Sequence, residues 1–589
     1  VVGSLYPILR SIIVNPEDAK HPLYKDMVKQ VDAVFENFPN LVHVAGHEHG
    51  LQFIKSDQIQ VVSGAGAKNA FAKKGKHSLF AATNSGYVVA DLLAGNQLRF
   101  TYYMITANGN IDTGFTYINP YINIKHTEDS LYDAVAKSTE DSALGQANAS
   151  YDKPGKLHRV FFGENYRREW AYKTKLPVIK LSQVQGGLTP LQRGGGHQSL
   201  SLRLQDSTGK EWVLRSVNKY PEVLLPEPLR ETFAKDIITD AMSAQHPYAA
   251  LVVPVLASAA GVPHTNPVIG LVAPDKALGI YQDDFMNTVC LLEEREPLGK
   301  SDNSQKMYKE LLKDNDNTVD STLLLKAKLL DLVLGDWDRH EDQWRWAYEK
   351  DNKGKKYIAV PRDRDQVFHI MDGTVPTFIS RPWVLPLLHD FDGKIKQVNA
   401  FFTEGDSMNR RLLNQFSYEQ WMTVTNAFVA SITDAVIEKA IAQLPQQPGN
   451  NRPQQLIAQL KQRRNNIPAA MSKYYRFINK IVDIQTTNKN EFVTIKDAGK
   501  GLEVVINKIN KDGKIKEQLY RRVFDPARTK EIRLFVHDGD DSIVVDNHTK
   551  IKLRLVGARG EKKYTIAAAA KKIRLYGRTD NVTLHNDVG

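Results

Sequence analysis

The chain has 589 residues, of which 42% are apolar, 25% charged and 9% aromatic. This composition is typical of globular proteins and excludes a disordered, collagenous or coiled-coil chain. The net charge of +11 is small for this length, so nucleic acid is not an expected partner. The single cysteine, Cys290, excludes an intrachain disulfide and a thiolate zinc cluster, and no apolar run is long enough to predict a transmembrane helix.

Four regions differ in their hydrophobic patterns. Residues 1–122 combine a helical pattern at 25–38 with four short strand patterns, and residues 123–159 have the composition of a linker. Residues 160–485 begin with strands around a glycine cluster and continue with mostly helical patterns. Residues 486–589 alternate like the strands of a sandwich or a stacked β-solenoid. We therefore predict a multidomain chain of α/β and α+β type that ends in an all-β region.

Some local predictions are specific enough to compare with a structure. Helical periodicity predicts two long helices, at residues 454–464 and 469–483. In the last region, Asp512 and Gly513 separate two alternating segments and predict the turn of a β-hairpin.

The first candidate site is a pair of histidines, His47 and His49, in a glycine-flanked turn after a predicted strand. Two neutral imidazoles close together can bind a borderline divalent metal ion. Two histidines supply only half of a tetrahedral site, so a solvent-exposed polar loop is the alternative.

The stretch Gly46-His47-Glu48-His49 resembles the last motif, Gly-His-x-His, of the calcineurin-like metallophosphoesterases. The resemblance implies that residues 1–122 are the C-terminal part of a phosphoesterase β-sandwich. It also implies that the two histidines bind manganese, iron or zinc in a dinuclear centre that hydrolyses phosphate esters. The family's earlier motifs do not occur before residue 44, so we expect them in a longer parent polypeptide.

The second candidate site follows Gly335, which is expected to end a buried helix. Asp338 and Gln343 are five residues apart, the spacing of the catalytic Asp and the metal-binding Asn in a protein-kinase loop. A predicted strand presents Asp363 and Asp365 on one face, two residues apart, and these carboxylates suit a magnesium ion that bridges nucleotide phosphates. A solvated acidic turn is the alternative.

Upstream of these carboxylates, a glycine cluster precedes a predicted strand pair, where a loop can lie close over phosphates. Arg215 on the second strand, with Lys219 close by, is a candidate phosphate contact. A triple glycine is otherwise a plain loop. The candidate carboxylate partners of this cation lie on the next helix: Glu231, Asp236 and Asp240.

In this order the parts resemble atypical kinases, above all the spore-coat protein H kinases and the bacterial persistence-toxin kinases with their Asp-Arg-His-x-x-Asn loop. The matching stretch is Asp338-Arg339-His340-Glu341-Asp342-Gln343. The resemblance implies that Asp338 is the catalytic base of a domain that binds Mg-ATP. It implies the metal ligands Gln343, Asp363 and Asp365, and the nucleotide contacts Arg215, Lys219, Gly194, Gly195 and Gly196. Two residues depart from the kinase pattern: Gln343 replaces the usual Asn, and Arg215 replaces the usual Lys. A non-catalytic scaffold is therefore the alternative.

The last region carries 22 basic and 14 acidic residues, so most of the net charge lies there. The turn at 537–542 resembles half of a calcium-binding β-roll turn, but Lys562 stands where a calcium ligand would be needed. We therefore predict a stacked β scaffold without calcium. A basic edge is predicted to be a solvated face, or else to contact anionic lipid or lipopolysaccharide; it comprises Lys562, Lys563, Lys571, Lys572, Arg574 and Arg578.

The whole arrangement resembles large envelope proteins of Bacteroidota that join a metallophosphoesterase to an outer-membrane β-barrel. Residues 3–7, 162–167 and 335–346 carry this resemblance. It implies an outer-membrane-associated location, a phosphorylated substrate and partners in the cell envelope. It also implies that the parent chain extends past both ends of this sequence.

Overall fold

A computed structural model describes residues 27, 28, 31, 41–46, 49–56, 58–66, 68–93, 97–120, 141–194, 199–221, 238–350, 353–379, 390–510, 512–578, 580 and 582–587. The chain divides into two compact units, residues 1–129 and residues 130–589. Within the described part of the chain, no helix has both the length and the apolar character that crossing a membrane requires.

The described part of the N-terminal unit is built from strands. They are β1 Val42–Ala45, β2 Leu51–Lys55, β3 Ile59–Ser63, β4 Ser78–Ala82, β5 Gly86–Leu93, β6 Gln97–Ile105 and β7 Ile111–Pro120. One sheet has the order β1-β3-β2-β4 and the other the order β5-β6-β7. Aromatic side chains such as Phe53 and Tyr102 fill the core of this unit. The four predicted strands are confirmed, whereas the predicted helix at 25–38 lies outside the described residues except at 27, 28 and 31.

The C-terminal unit begins with a seven-stranded mixed sheet of order β10-β11-β12-β14-β13-β9-β8. Its strands are β8 Ser142–Gly145, β9 Thr174–Ile179, β10 Leu188–Arg193, β11 Ser201–Asp206, β12 Glu211–Ser216, β13 Val268–Val272 and β14 Val289–Glu294. Strand β8 comes from the segment assigned to a linker, yet it pairs with β9 at the edge of this sheet.

A small second sheet, of order β15-β17-β18-β16, follows in the chain. Its strands are β15 Ser301–Asp302, β16 Thr318–Val319, β17 Trp344–Lys350 and β18 Lys355–Pro361. The described α-helices of the unit are Lys156–Phe162, Arg167–Ala171, Val253–Ala260, Gln282–Phe285, Ser304–Lys313, Ser321–Leu334, Thr374–Ile379, Val398–Phe401, Asp406–Leu412, Tyr418–Ser431, Asp434–Ile441 and Arg452–Ile478.

The helix Ser321–Leu334 delivers the chain to the second candidate site. The side chain of Asp320 caps its N-terminus by accepting a hydrogen bond from the Leu323 amide at 2.9 Å. Gly335 ends the helix with a left-handed backbone, φ 72°, as the sequence predicts. Nearly every side chain of the helix is buried, so its end is a rigid base for the loop that follows.

The prediction of two separate helices, at residues 454–464 and 469–483, is wrong. The structure has one helix, Arg452–Ile478, with Pro468 inside it, and the chain then enters strand β19. Proline removes one helical hydrogen bond and usually kinks or ends a helix. Here Leu460 and Met471, on either side of the proline, are both fully buried, and the packing of this continuous apolar face maintains the helix.

The last region is a β-solenoid, which decides between the two predicted arrangements. Its strands are β19 Ile481–Gln485, β20 Glu491–Ala498, β21 Gly501–Ile509, β22 Ile515–Phe524, β23 Glu531–Val536, β24 Asp541–Asp546, β25 Lys552–Gly557, β26 Lys562–Ala567, β27 Ile573–Tyr576 and β28 Val582–Asp587. Two parallel ladders, β19-β23-β25-β27 and β20-β24-β26-β28, stack successive rungs in register. The predicted hairpin, β21 and β22, is confirmed and has Gly513 in its turn at φ 74°.

The prediction that Lys562 belongs to a solvated basic face is wrong, because its side chain is fully buried. Its ammonium group donates to the carbonyls of Gly539 and Arg559 at 2.5 and 2.7 Å and lies 3.0 Å from the Asp541 carboxylate. Oxygen atoms from two turns of the solenoid therefore hold this buried ammonium group. Burial raises the pKa of Asp541 to about 7, although Lys562 opposes the rise.

Replacing Gly560 by alanine should destabilise the solenoid strongly. A Cβ atom there would lie 2.0 Å from the Gly539 carbonyl oxygen of the previous rung, and the backbone has φ +84°. Gly513→Ala is the matched control, because it shares the positive φ but meets no atom within 4 Å. The positive φ costs roughly 1–2 kcal/mol at either position, so the expected difference in thermal unfolding comes from the clash. Equal melting temperatures for the two variants would contradict the close stacking of rungs.

Candidate functional site

A cleft of about 890 Å³, including its open mouth, lies against one face of the seven-stranded sheet. Side chains alternate along each strand, so β12 and β14 present one set to the cleft and the other to a separate apolar core. Arg215 and Glu293 line the cleft, whereas Leu214 and Leu292 lie in that core. The cleft is also lined by the end of β18 and the loop that follows it, residues 361–365. Asp363 and Asp365 lie in this loop, so the prediction that a strand presents them is wrong, because β18 ends at Pro361.

The cleft brings together four of the residues predicted to bind nucleotide or metal. Arg215 Nη1 lies 3.2 Å from Asp363 Oδ1, and the Lys219 ammonium pairs with the Asp365 carboxylate. Asp363 has a left-handed backbone, φ 55°, which Asp adopts more readily than most residues. Burial alone would raise the pKa of Asp363, but the positive charges of Arg215 and Lys219 outweigh it and hold the pKa below its ordinary value. Asp363 is therefore ionised at neutral pH.

Asp338, the predicted catalytic base, lies in the loop after helix Ser321–Leu334 and is partly exposed. Burial and then the negative charge of Asp365 raise its pKa above the ordinary value. A carboxylate whose pKa is raised is a better proton acceptor than an ordinary surface Asp. The structure therefore places Asp338 within electrostatic reach of the cleft carboxylates.

Gln343, the predicted metal ligand in the same loop, is buried and its amide oxygen accepts a hydrogen bond from Arg339 Nη1 at 2.9 Å. The same guanidinium donates to the carbonyl oxygens of Arg362 and Asp363. Arg339 thus joins the loop that carries Asp338 to the loop that carries Asp363. This role was not predicted, because the sequence motif contains Arg339 but does not show that its side chain binds the carbonyl groups of residues 362 and 363.

Beneath these loops lies a buried charge network of two carboxylates and two guanidinium groups. Arg364 donates to both Asp331 and Asp336, whose side chains are 0% exposed. Arg339 lies 3.5 Å from Asp331 and 3.7 Å from Asp336. Burial raises the pKa of Asp336 to about 7, despite the two arginines.

Lys328 adjoins this network and was not predicted. Its side chain is buried, and its ammonium nitrogen lies 4.5 Å from the centre of the Trp344 ring. Burial lowers the pKa of Lys328 to about 7, with Asp331 opposing that shift. The buried charge network therefore links the end of helix Ser321–Leu334 to the loop that carries Asp338 and to the loop that carries Asp363.

The remaining predicted residues do not join the cleft in the described part of the chain. Gly194 ends β10 and its amide donates to Ser201 at 2.7 Å, while Gly195 and Gly196 lie outside the described residues. His49 is exposed, and His47 lies outside the described residues. Across the described residues, no group of three or more His, Cys, Asp or Glu side chains is arranged to hold a metal ion.

The predicted pairing of Arg215 with Asp240 is wrong. Asp240 accepts a bidentate pair of hydrogen bonds from Arg167, at 2.6 and 2.7 Å, and lies 3.0 Å from His158. Arg167 is fully buried, so it requires a carboxylate partner of its own. The other two candidates, Glu231 and Asp236, lie outside the described residues.

Comparison with known proteins gives only weak similarities. No protein-family model and no curated protein matches the chain. Among solved structures, the chain is similar to the proinflammatory kinase CtkA of Helicobacter pylori, with 13% identity over 51% of this chain and 98% of that chain and a TM-score of 0.29. It is also similar to the Rio2 kinase of Chaetomium thermophilum in a complex with ADP, Mg²⁺ and phosphoaspartate, with 13% identity over 43% of this chain and 70% of that chain and a TM-score of 0.19. Scores this low carry no argument, so the chemistry of the cleft is argued from its own geometry.

Proposed function

We propose that the C-terminal unit binds ATP with magnesium in the cleft and transfers phosphate as an atypical kinase. The observation that carries this proposal is the meeting of two cations from the sheet, Arg215 and Lys219, with two carboxylates from the loop after β18, Asp363 and Asp365. Cations suit phosphate oxygens, and hard carboxylate oxygens suit magnesium.

Each residue has a defined task in this proposal. Arg215 and Lys219 orient the phosphate chain, and Asp363 and Asp365 hold the metal ion through oxygen atoms. Magnesium, when bound, neutralises the negative charge that develops on the phosphate being transferred. The hydroxyl oxygen of the acceptor bonds to the γ-phosphorus, the bond from that phosphorus to the bridging oxygen breaks, and ADP leaves. Asp338 accepts the proton of the attacking hydroxyl group, for which its raised pKa suits it.

Isothermal calorimetry of the full chain with ATP and magnesium tests the nucleotide site. We expect saturable binding by the wild type and at least about tenfold weaker binding by Asp363→Asn, because the variant loses a charged metal ligand and the partner of Arg215. Asp283→Asn is the control, because Asp283 is exposed and does not line the cleft. The absence of binding heat with the wild type would refute the site.

A nucleotide-binding scaffold without transfer is the second candidate, and one observation favours it. The Gln343 amide oxygen, expected to bind metal, accepts a hydrogen bond from Arg339 instead. A site with one metal ligand fewer can bind nucleotide and yet transfer phosphate poorly. Single-turnover measurements with the wild type separate the two candidates, since only a kinase produces labelled product.

The phosphoesterase function of the N-terminal unit and the outer-membrane location stay predictions. His47 lies outside the described residues, and His49 is exposed without two further His, Cys, Asp or Glu side chains around it among those described. Hydrolysis of phosphate esters by this unit therefore rests on the motif Gly46-His47-Glu48-His49 alone.

A further inference from the structure

Glu293 is a buried carboxylate in the cleft that no sequence motif identified. It lies on β14 opposite Val213 of β12, which places it diagonally across from Arg215 on the same face of the sheet. Its carboxylate is 11% exposed and lies 3.8 Å from the guanidinium of Arg215. A second arginine, Arg362, lines the same cleft. Burial and then the charge of Arg215 lower the pKa of Arg362 to about 10, and the charge of Glu293 opposes this shift.

The two carboxylates that face Arg215 differ in how firmly they are held. Asp363 is 43% exposed on a loop, whereas Glu293 lies on a central strand and accepts a hydrogen bond from the Thr265 hydroxyl group at 2.7 Å. Magnesium at Asp363 would draw that carboxylate away from Arg215. Glu293 would then remain as the partner that keeps the guanidinium in place.

We propose that Glu293 positions Arg215 for the phosphate groups of ATP, so that this carboxylate of the sheet does the work that we expected of Asp240 on the helix. The inference rests on the proposed function of the cleft. The Nη2 atom of Arg215 faces Glu293 and the Nη1 atom faces Asp363, so Nη1 would become available to phosphate if Asp363 turned to magnesium. The negative charge of Glu293 also offsets the mutual repulsion of Arg215 and Arg362, which both line the cleft.

Calorimetry of the full chain with Mg-ATP and, separately, with adenosine tests this role. We expect Glu293→Gln to weaken ATP binding about tenfold and to leave adenosine binding unchanged, because only the phosphate contact is misplaced. Glu294→Gln is the matched control: Glu294 is the next residue on the strand but pairs with Lys210 at 2.5 Å outside the cleft. Thr265→Val removes the hydrogen bond to Glu293 and should weaken ATP binding about two- to threefold. This variant tests the same role if Glu293→Gln folds poorly.

A double-mutant cycle with Arg215→Met shows whether Glu293 acts through Arg215. If it does, Glu293→Gln has no further effect on ATP affinity once Arg215 is replaced. Unchanged or tighter ATP binding by Glu293→Gln, an equal loss of adenosine binding, or additive effects in the cycle would overturn the proposal. A wild type that binds no ATP would refute both this proposal and the nucleotide site, whereas binding that is insensitive to Glu293→Gln would refute only the positioning role.

Discussion

Asp338→Asn should lower the rate of phosphate transfer by roughly 10²- to 10⁴-fold while ATP affinity changes little. Asparagine cannot accept the proton of the attacking hydroxyl group, and general-base catalysis contributes about this factor. Asp338 is not among the residues that line the cleft, so its loss should leave the phosphate and metal contacts in place. Single-turnover autophosphorylation or ATP hydrolysis measures the rate, and calorimetry measures the affinity.

The pH dependence of the wild type provides an independent check on Asp338. Burial and the charge of Asp365 raise its pKa, and the base must be ionised to act. The rate should therefore fall as the pH drops through this raised pKa, and the fall should begin at a higher pH than for an ordinary Asp. Asp342→Asn is the control, because Asp342 is an exposed carboxylate in the same loop. Equal transfer rates for Asp338→Asn and the wild type would exclude Asp338 as the base.

Arg364→Met should lower the free energy of unfolding by about 3–5 kcal/mol, because it removes one cation from a buried ion network. Arg364 donates to both Asp331 and Asp336, and neither carboxylate is exposed to water. In the methionine variant, the nearest cation to these two carboxylates is Arg339, at 3.5 Å from Asp331 and 3.7 Å from Asp336. Lys328 also adjoins them, but burial lowers its pKa and so weakens it as a positive partner. Urea denaturation of the full chain, monitored in the C-terminal unit, measures the loss.

The sign of the pH effect separates this explanation from a simple packing defect. The pKa of Asp336 is already raised to about 7, and an unfolded Asp ionises near pH 4. Folding therefore favours the protonated carboxyl, so both proteins lose stability alike as the pH rises from about 4 towards about 7. The deficit of Arg364→Met should grow only as the pH rises through about 7, where Asp336 ionises in the wild type but stays protonated in the variant. Arg521→Met is the control, because Arg521 pairs with Glu503 at 2.8 Å on the surface and is 61% exposed. A deficit that does not vary with pH would contradict the buried-charge account.

The elements of the fold were predictable where the hydrophobic period is regular. Alternation identified the solenoid strands from β21 to β27 and the Asp512-Gly513 hairpin, but not β19, whose first residues were assigned to a helix. The apolar run before Gly335 identified a buried helix. The helix Arg452–Ile478 was divided wrongly at Pro468, because the local cost of proline is visible in the sequence and the compensating packing is not. Residue spacing also could not show that the Lys562 side chain is buried inside the solenoid, because its partners Gly539 and Asp541 lie more than twenty residues away in the sequence.

The candidate site was predictable as a set of residues, but its pairings were not. Spacing along the chain identified Arg215, Asp338 and Asp363, because each belongs to a short local pattern. Glu293 belongs to no motif, and it reaches Arg215 only through the pairing of β12 with β14. The available signal was the pair of acidic residues, Glu293 and Glu294, that ends the apolar strand Val289–Glu294, since such a charge is buried only when it has a partner.

The stacking of the solenoid has a consequence for how its length can change during evolution. Glu531 of β23 lies beside Lys552 of β25, so this rung takes 21 residues, and Leu553 of β25 lies beside Ile573 of β27, so the next rung takes 20. Gaining or losing a whole rung would move one end of the stack relative to the other by about 4.8 Å and leave the remaining ladders paired. The length of the solenoid can therefore change in discrete steps, by a duplication or deletion of about twenty codons.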